Sequence, residues 1–137
     1  MKARLRLTLL AVISISSALA CTLLTTTEVP ATLVPRATPY SQEPAAGICA
    51  EPSGEEVAMR LEPGIPDPRC MIVEAGQHLR VVNHTGVDVT VALGSFSAAL
   101  VPDGETVFEP SFGDYLMSGV HVLQVDPCCG GELWLKE

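Results

Sequence analysis

The chain has 137 residues, with 8 Lys and Arg against 16 Asp and Glu, and five cysteines. That length holds one domain at most. The acidic balance excludes nucleic acid, whose phosphates call for Lys and Arg, and electrostatic docking to anionic lipid.

Residues 1–20 begin with Lys2, Arg4 and Arg6, continue with an apolar run over 7–15, and end in Ala18-Leu19-Ala20. Basic, then apolar, then small is the order of a secretory signal peptide. The apolar run is shorter than the roughly 20 residues of a membrane-spanning helix. Removing it leaves five bases against sixteen acids, a formal charge of −11. Ser17-Ala18-Leu19-Ala20-Cys21 resembles a bacterial lipoprotein signal. The resemblance implies that Cys21 is lipidated and becomes the first mature residue. Ala18-x-Ala20 also suits ordinary signal cleavage, so two outcomes stay open: a lipid-anchored protein on the extracytoplasmic face of the cell membrane, or a secreted one. Residues 21–47 are rich in Thr and Pro, with Pro30, Pro35, Pro39 and Pro44 evenly spaced. Such composition reads as a disordered tether, reaching about 80 Å as polyproline and about 30 Å as a coil.

Residues 48–137 form the expected domain. Over 56–62, Val57, Met59 and Leu61 alternate with Glu56, Ala58 and Arg60, the period of a half-buried strand. Residues 63–68 hold three prolines and read as a loop. Short strands follow at 70–73 and 79–83. Asn83-His84-Thr85-Gly86 is a turn, and Val87, Val89, Val91 and Leu93 then alternate with wetter residues. Further strands read at 95–101, 105–109, from 115, at 120–125 and at 133–135. The turn at Pro102-Asp103-Gly104 has proline and glycine where type I or II turns want them, and 111–114 turns again. No window shows a helical period. Seven to nine short strands with a turn every eight to twelve residues give an all-β, Greek-key β-sandwich.

Within that pattern, Val73-Glu74-Ala75-Gly76-Gln77, Val81-Val82-Asn83, residues 100–105, Phe112-Gly113-Asp114-Tyr115 and Glu132-Leu133-Trp134-Leu135 follow one another as in the cupredoxin-like fold. The chain resembles that family over 73–135, and it also resembles small uncharacterised bacterial lipoproteins at 66–70 and 112–121. The resemblance implies a sandwich scaffold of the blue-copper type. A blue-copper centre takes a thiolate, two imidazoles and usually a thioether. Here Asp88 stands where the first His is expected, His84 falls early, inside the turn, and neither His nor Met follows Cys128 and Cys129. His121, Cys128 and Cys129 remain as a possible soft-metal set for copper or zinc. A hydrogen-bonded, half-buried His121 is the plainer reading, and no bound cofactor is the expectation.

An exported chain permits disulfides. Four cysteines besides Cys21 allow three pairings. Cys49–Cys70 with Cys128–Cys129 is the first, and a cross-link from Cys128 or Cys129 to Cys49 or Cys70 is its rival. Cys49–Cys70 would pin the N-terminal strand to the centre of the sheet, at roughly 3 kcal/mol of chain entropy. Adjacent Cα atoms lie about 3.8 Å apart, below the usual disulfide range, so a Cys128–Cys129 bond would be readily reduced. No nucleophile–base constellation, phosphate loop or zinc-protease motif is present in the sequence. The functional expectation is a non-catalytic envelope lipoprotein held to the membrane through Cys21, with an envelope protein as possible partner. The alternative is a metal or redox carrier using the Cys128-Cys129 loop and His121.

Overall fold

The computed structural model describes residues 35–137. The expected signal peptide, Cys21 and the first part of the Thr/Pro segment lie outside the described residues. Nine strands and one helical turn follow in order: β1 (Glu56–Glu62), β2 (Ile65–Asp67), β3 (Cys70–Val73), β4 (His78–Asn83), β5 (Val89–Leu93), β6 (Phe96–Leu100), β7 (Glu105–Val107), α1 (Phe112–Tyr115), β8 (Gly119–Asp126) and β9 (Gly131–Leu135). They form two sheets, ordered β2-β1-β4-β7 and β3-β9-β8-β5-β6. β1 with β4 and β3 with β9 pair in parallel, and the other pairs are antiparallel.

The alternation seen in sequence sets the two inner faces. Val57, Met59 and Leu61 of β1 and Leu79 and Val81 of β4 are buried from one sheet. Met71, Val73, Val89, Val91, Leu93, Leu123, Leu133 and Leu135 meet them from the other. Burying each such side chain is worth about 1.5–3 kcal/mol in transfer terms. The outward position of β4 carries Arg80 between Glu56 at 3.5 Å and Glu105 at 2.5 Å, an exposed ion ladder across three strands. One pole of the core is aromatic: Phe96 meets Tyr115 edge-on, with ring centroids 4.9 Å apart.

The structure corrects several expectations. The proline loop contains β2, because Pro66 sits on an edge strand where a missing N–H is tolerated. Residues 112–115 wind into a helical turn, not a plain turn: the N–H and hydroxyl of Ser111 both donate to the Asp114 carboxylate. Residues 115–117 are no strand, and Leu116 makes only an isolated bridge with Ala37. β3 lies at the rim of its sheet, not the centre. Ala50 covers that rim, donating to Cys70 O at 2.9 Å and accepting from Ile72 N at 2.8 Å, which blunts an open edge.

The largest difference concerns the tether. Residues 36–46, read by composition as its end, lie along the sandwich. Ala37 N donates to Tyr115 O at 2.7 Å, Tyr40 N to Val120 O at 3.0 Å, and Val120 N to Ser41 O at 2.8 Å. β5 pairs with β8 only from Gln124 to Asp126. The strap of residues 36–46 takes up the backbone groups of Val120 that β5 does not reach. The folded part of the chain therefore begins by Arg36, not at Ile48.

Candidate functional site

The loops between β1 and β2, β4 and β5, and β8 and β9 converge at the pole opposite α1. One buried side chain organises them. Asn83 ends β4 with 0% exposure. Its Nδ2 donates to Val87 O at 2.7 Å and to Val101 O at 3.0 Å, and its Oδ1 accepts from Thr85 N at 3.0 Å and Thr85 Oγ1 at 2.7 Å. An Asn followed two residues on by a bonded N–H is an Asx turn. The same amide also ties the β6–β7 turn to the β4–β5 turn.

Beside it, Cys128 and Cys129 are joined in a disulfide between adjacent residues, with Cα atoms 3.7 Å apart. Both are exposed. Cys129 has φ 57°, in the left-handed region. The turn closes tightly onto the core at Gly131, where a Cβ would stand 2.6 Å from Met59 Sδ. The pair forms one wall of an open cleft of about 240 Å³, whose other walls include Leu61, Pro63, Pro66, Val87 and Val89. Pockets for drug-sized ligands usually run about 300–1,000 Å³, so this cleft suits a side chain of a partner. Glu62 stands at its rim, with His84 Nδ1 2.9 Å from Oε1.

The second disulfide, Cys49–Cys70, spans 21 residues with Cα atoms 4.5 Å apart. It joins the segment after the strap to β3. Cys70 is 1% exposed.

His121 stands apart from the cysteine pair. It is the third residue of β8, is buried, and its Nε2 lies 2.7 Å from Met117 O. A carbonyl only accepts, so this nitrogen carries the proton. His121 stands five positions before Asp126 on the strand, about 17 Å at 3.3–3.4 Å per residue. The proposed metal set of His121, Cys128 and Cys129 is thus not brought together. Both thiols are also bound to each other, leaving no thiolate for copper or zinc. Among the described residues, no three His, Cys, Asp or Glu side chains gather as a metal set. The site residues do not fit a blue-copper centre.

Sequence reasoning missed Glu132. Its carboxylate accepts from the hydroxyl of Tyr40, from Ala45 N at 3.1 Å and from Ala46 N at 2.8 Å. Burial alone would push this carboxyl up. The Tyr40 hydroxyl, the two amides and the charge of Arg69 outweigh that and hold it below the ordinary carboxylate range. No local signal could reveal a partner so distant in sequence.

No family model matches the chain, and no curated protein matches it. Among solved structures it is similar to amicyanin from Paracoccus versutus, at 15% identity and a TM-score of 0.48, covering 71% of this chain and 94% of that one. It is similar also to the metal-binding domain of the Cu(I)-exporting P-type ATPase CopA of Streptococcus pneumoniae, solved with Cu(I), at 16% identity and a TM-score of 0.48, covering 66% and 97%. The two-sheet arrangement is the all-β sandwich that the strand pattern of the sequence predicts.

Proposed function

We propose that this chain is a non-catalytic envelope module, anchored through lipid at Cys21, that presents the cleft beside Cys128 and Cys129 to a protein partner. The observation that carries this reading is the polarity of the domain. The described chain begins near Arg36, whose guanidinium donates to Gly113 O of α1. β8 then runs from that pole to the cleft, about 25 Å over eight residues. Val87, 52% exposed, lines the cleft, and Ile65, 44% exposed, lies next to it on β2. An attachment at one pole and an apolar cleft at the other suit presentation outward from a membrane.

The test is site-specific photo-crosslinking in intact cells. A benzoylphenylalanine at Val87 yields discrete adducts with envelope proteins, and one at Glu74, near α1, does not. Equal labelling from both poles, or none from Val87, would sink the reading. Anchoring is read separately: Cys21→Ala moves the chain from the detergent phase to the aqueous phase.

A further inference from the structure

The two disulfides do different physical work. Cys49–Cys70 closes a 21-residue loop and is buried at Cys70, so it restricts the unfolded chain. Cys128–Cys129 has a sequence separation of 1. It closes no loop, and loop-closure entropy gives it almost nothing to contribute to the fold. Both residues are exposed and line the cleft, on the turn between β8 and β9. Opening it would release no long-range contact, and the peptide between the residues would keep the sulfurs within reach of each other. A bond so placed is available for chemistry without loss of structure.

We propose that Cys128–Cys129 is a thiol–disulfide exchange site that takes two electrons from a dithiol of a partner protein, one with an apolar side chain next to its cysteines. In the first step a partner thiolate attacks one sulfur. The Cys128–Cys129 bond breaks, a mixed disulfide forms, and the other sulfur leaves as thiolate and takes up a proton. In the second step the partner's remaining thiolate attacks its own sulfur in the mixed disulfide. That displaces the second cysteine, which is protonated in turn. The partner ends as a disulfide and the chain as two thiols, so the exchange is stoichiometric and balanced. Direction follows from the span of the bond: its Cα atoms are 3.7 Å apart, below the usual disulfide range, so the pair is easily reduced. No Lys, Arg or His lines the cleft, so no cation there stabilises a thiolate that would attack in turn. The apolar walls at Val87 and Pro63 would seat the partner's side chain. This deepens the cleft reading above and rests on it for that docking contact alone.

The exported chain, purified from an oxidising compartment, is equilibrated with graded dithiothreitol, alkylated with iodoacetamide and mapped by mass. Two labels are expected at Cys128 and Cys129 at a dithiol concentration at least about tenfold below that which opens Cys49–Cys70, with the far-UV circular dichroism of the half-reduced chain unchanged. Opening of Cys49–Cys70 first, opening of both together, or opening of Cys128–Cys129 only on unfolding overturns the proposal. With reduced thioredoxin as a protein dithiol, Val87→Asp is expected to slow exchange several-fold more than it slows exchange with dithiothreitol. An equal effect on both dithiols would overturn the docking half. Crosslinking at Val87 that persists in the Cys128→Ser, Cys129→Ser double variant would preserve the cleft reading even where exchange fails.

Discussion

Tyr40 donates a hydrogen bond from its hydroxyl to the carboxylate of Glu132, across a sequence separation of 92. The same carboxylate receives the amides of Ala45 and Ala46, so one side chain of β9 holds two points of the strap. Glu132 titrates below the ordinary carboxylate range when folded. A depressed folded value means that the contribution is present above the unfolded value, near 4.3, and is lost as pH falls through the folded one. The protection of the Ala45 and Ala46 amides, relative to their intrinsic exchange, is expected to fall as pH drops below the ordinary carboxylate range. In Glu132→Ala it is lost already at pH 7. Exchange that stays slow in the variant would show that the backbone bonds to Val120 suffice.

Asn83→Ala removes the amide that joins two turns, and with it the bonds to the Val87, Leu100 and Val101 carbonyls and to Thr85. Each such bond contributes about 0.5–1.5 kcal/mol net, so losing several together costs about 1–3 kcal/mol. Chemical denaturation should show a loss in that range or somewhat above it, with the largest shift changes in the β4–β5 and β6–β7 turns. A loss under about 0.5 kcal/mol, typical of an ordinary surface position, would remove Asn83 from its organising place.

Replacing Cys49 and Cys70 together by serine should lower stability by about 3 kcal/mol on chain-entropy grounds. The urea midpoint is the readout. A matching loss from the Cys128→Ser, Cys129→Ser pair would contradict the division of labour between the two bonds.

Tyr115 is 1% exposed, and its hydroxyl has no hydrogen-bond partner. Burial raises the energy of the phenolate, which moves its titration well upward. An orphaned buried hydroxyl costs free energy, so Tyr115→Phe is expected to leave stability unchanged or to raise it by about 1 kcal/mol. Thermal unfolding decides; a drop of 2 °C or more, several tenths of a kcal/mol for a domain of this size, would mean that the hydroxyl is satisfied in solution.

Native mass spectrometry of the oxidised exported chain with added copper or zinc should show no bound ion, because both thiols are committed to each other and His121 lies about 17 Å of strand away. A stoichiometric ion, lost in the double serine variant, would restore the metal-carrier reading.

The sandwich was legible because its information is local. β1 and β3 begin and end where alternation and flanking turns place them, since a half-buried strand must write its period into the sequence. What failed was non-local. Thr and Pro composition describes how residues 36–46 behave alone, whereas Val120 and Glu132 decide what they do in the fold. Pro66 was excluded from strands by a rule that weakens at a sheet edge. His121 was grouped with Cys128 and Cys129 because they are near in sequence, but an extended strand carries neighbours apart. The vicinal cysteine pair was the one part of the candidate site that sequence could locate, because adjacency in the chain enforces adjacency in space.

The Cys49–Cys70 bond gives the strap a mechanical limit. A pull on Arg36 would first load hydrogen bonds: Arg36 to Gly113, Tyr40 to Val120 and Glu132, then Ala45 and Ala46 to Glu132. Peeling would stop at Cys49, where the chain is covalently fixed to β3. Residues 36–48 could then pay out, about 40 Å at full extension, while both sheets and the cleft stayed folded. Under tension the strap is a reserve of slack with a hard stop.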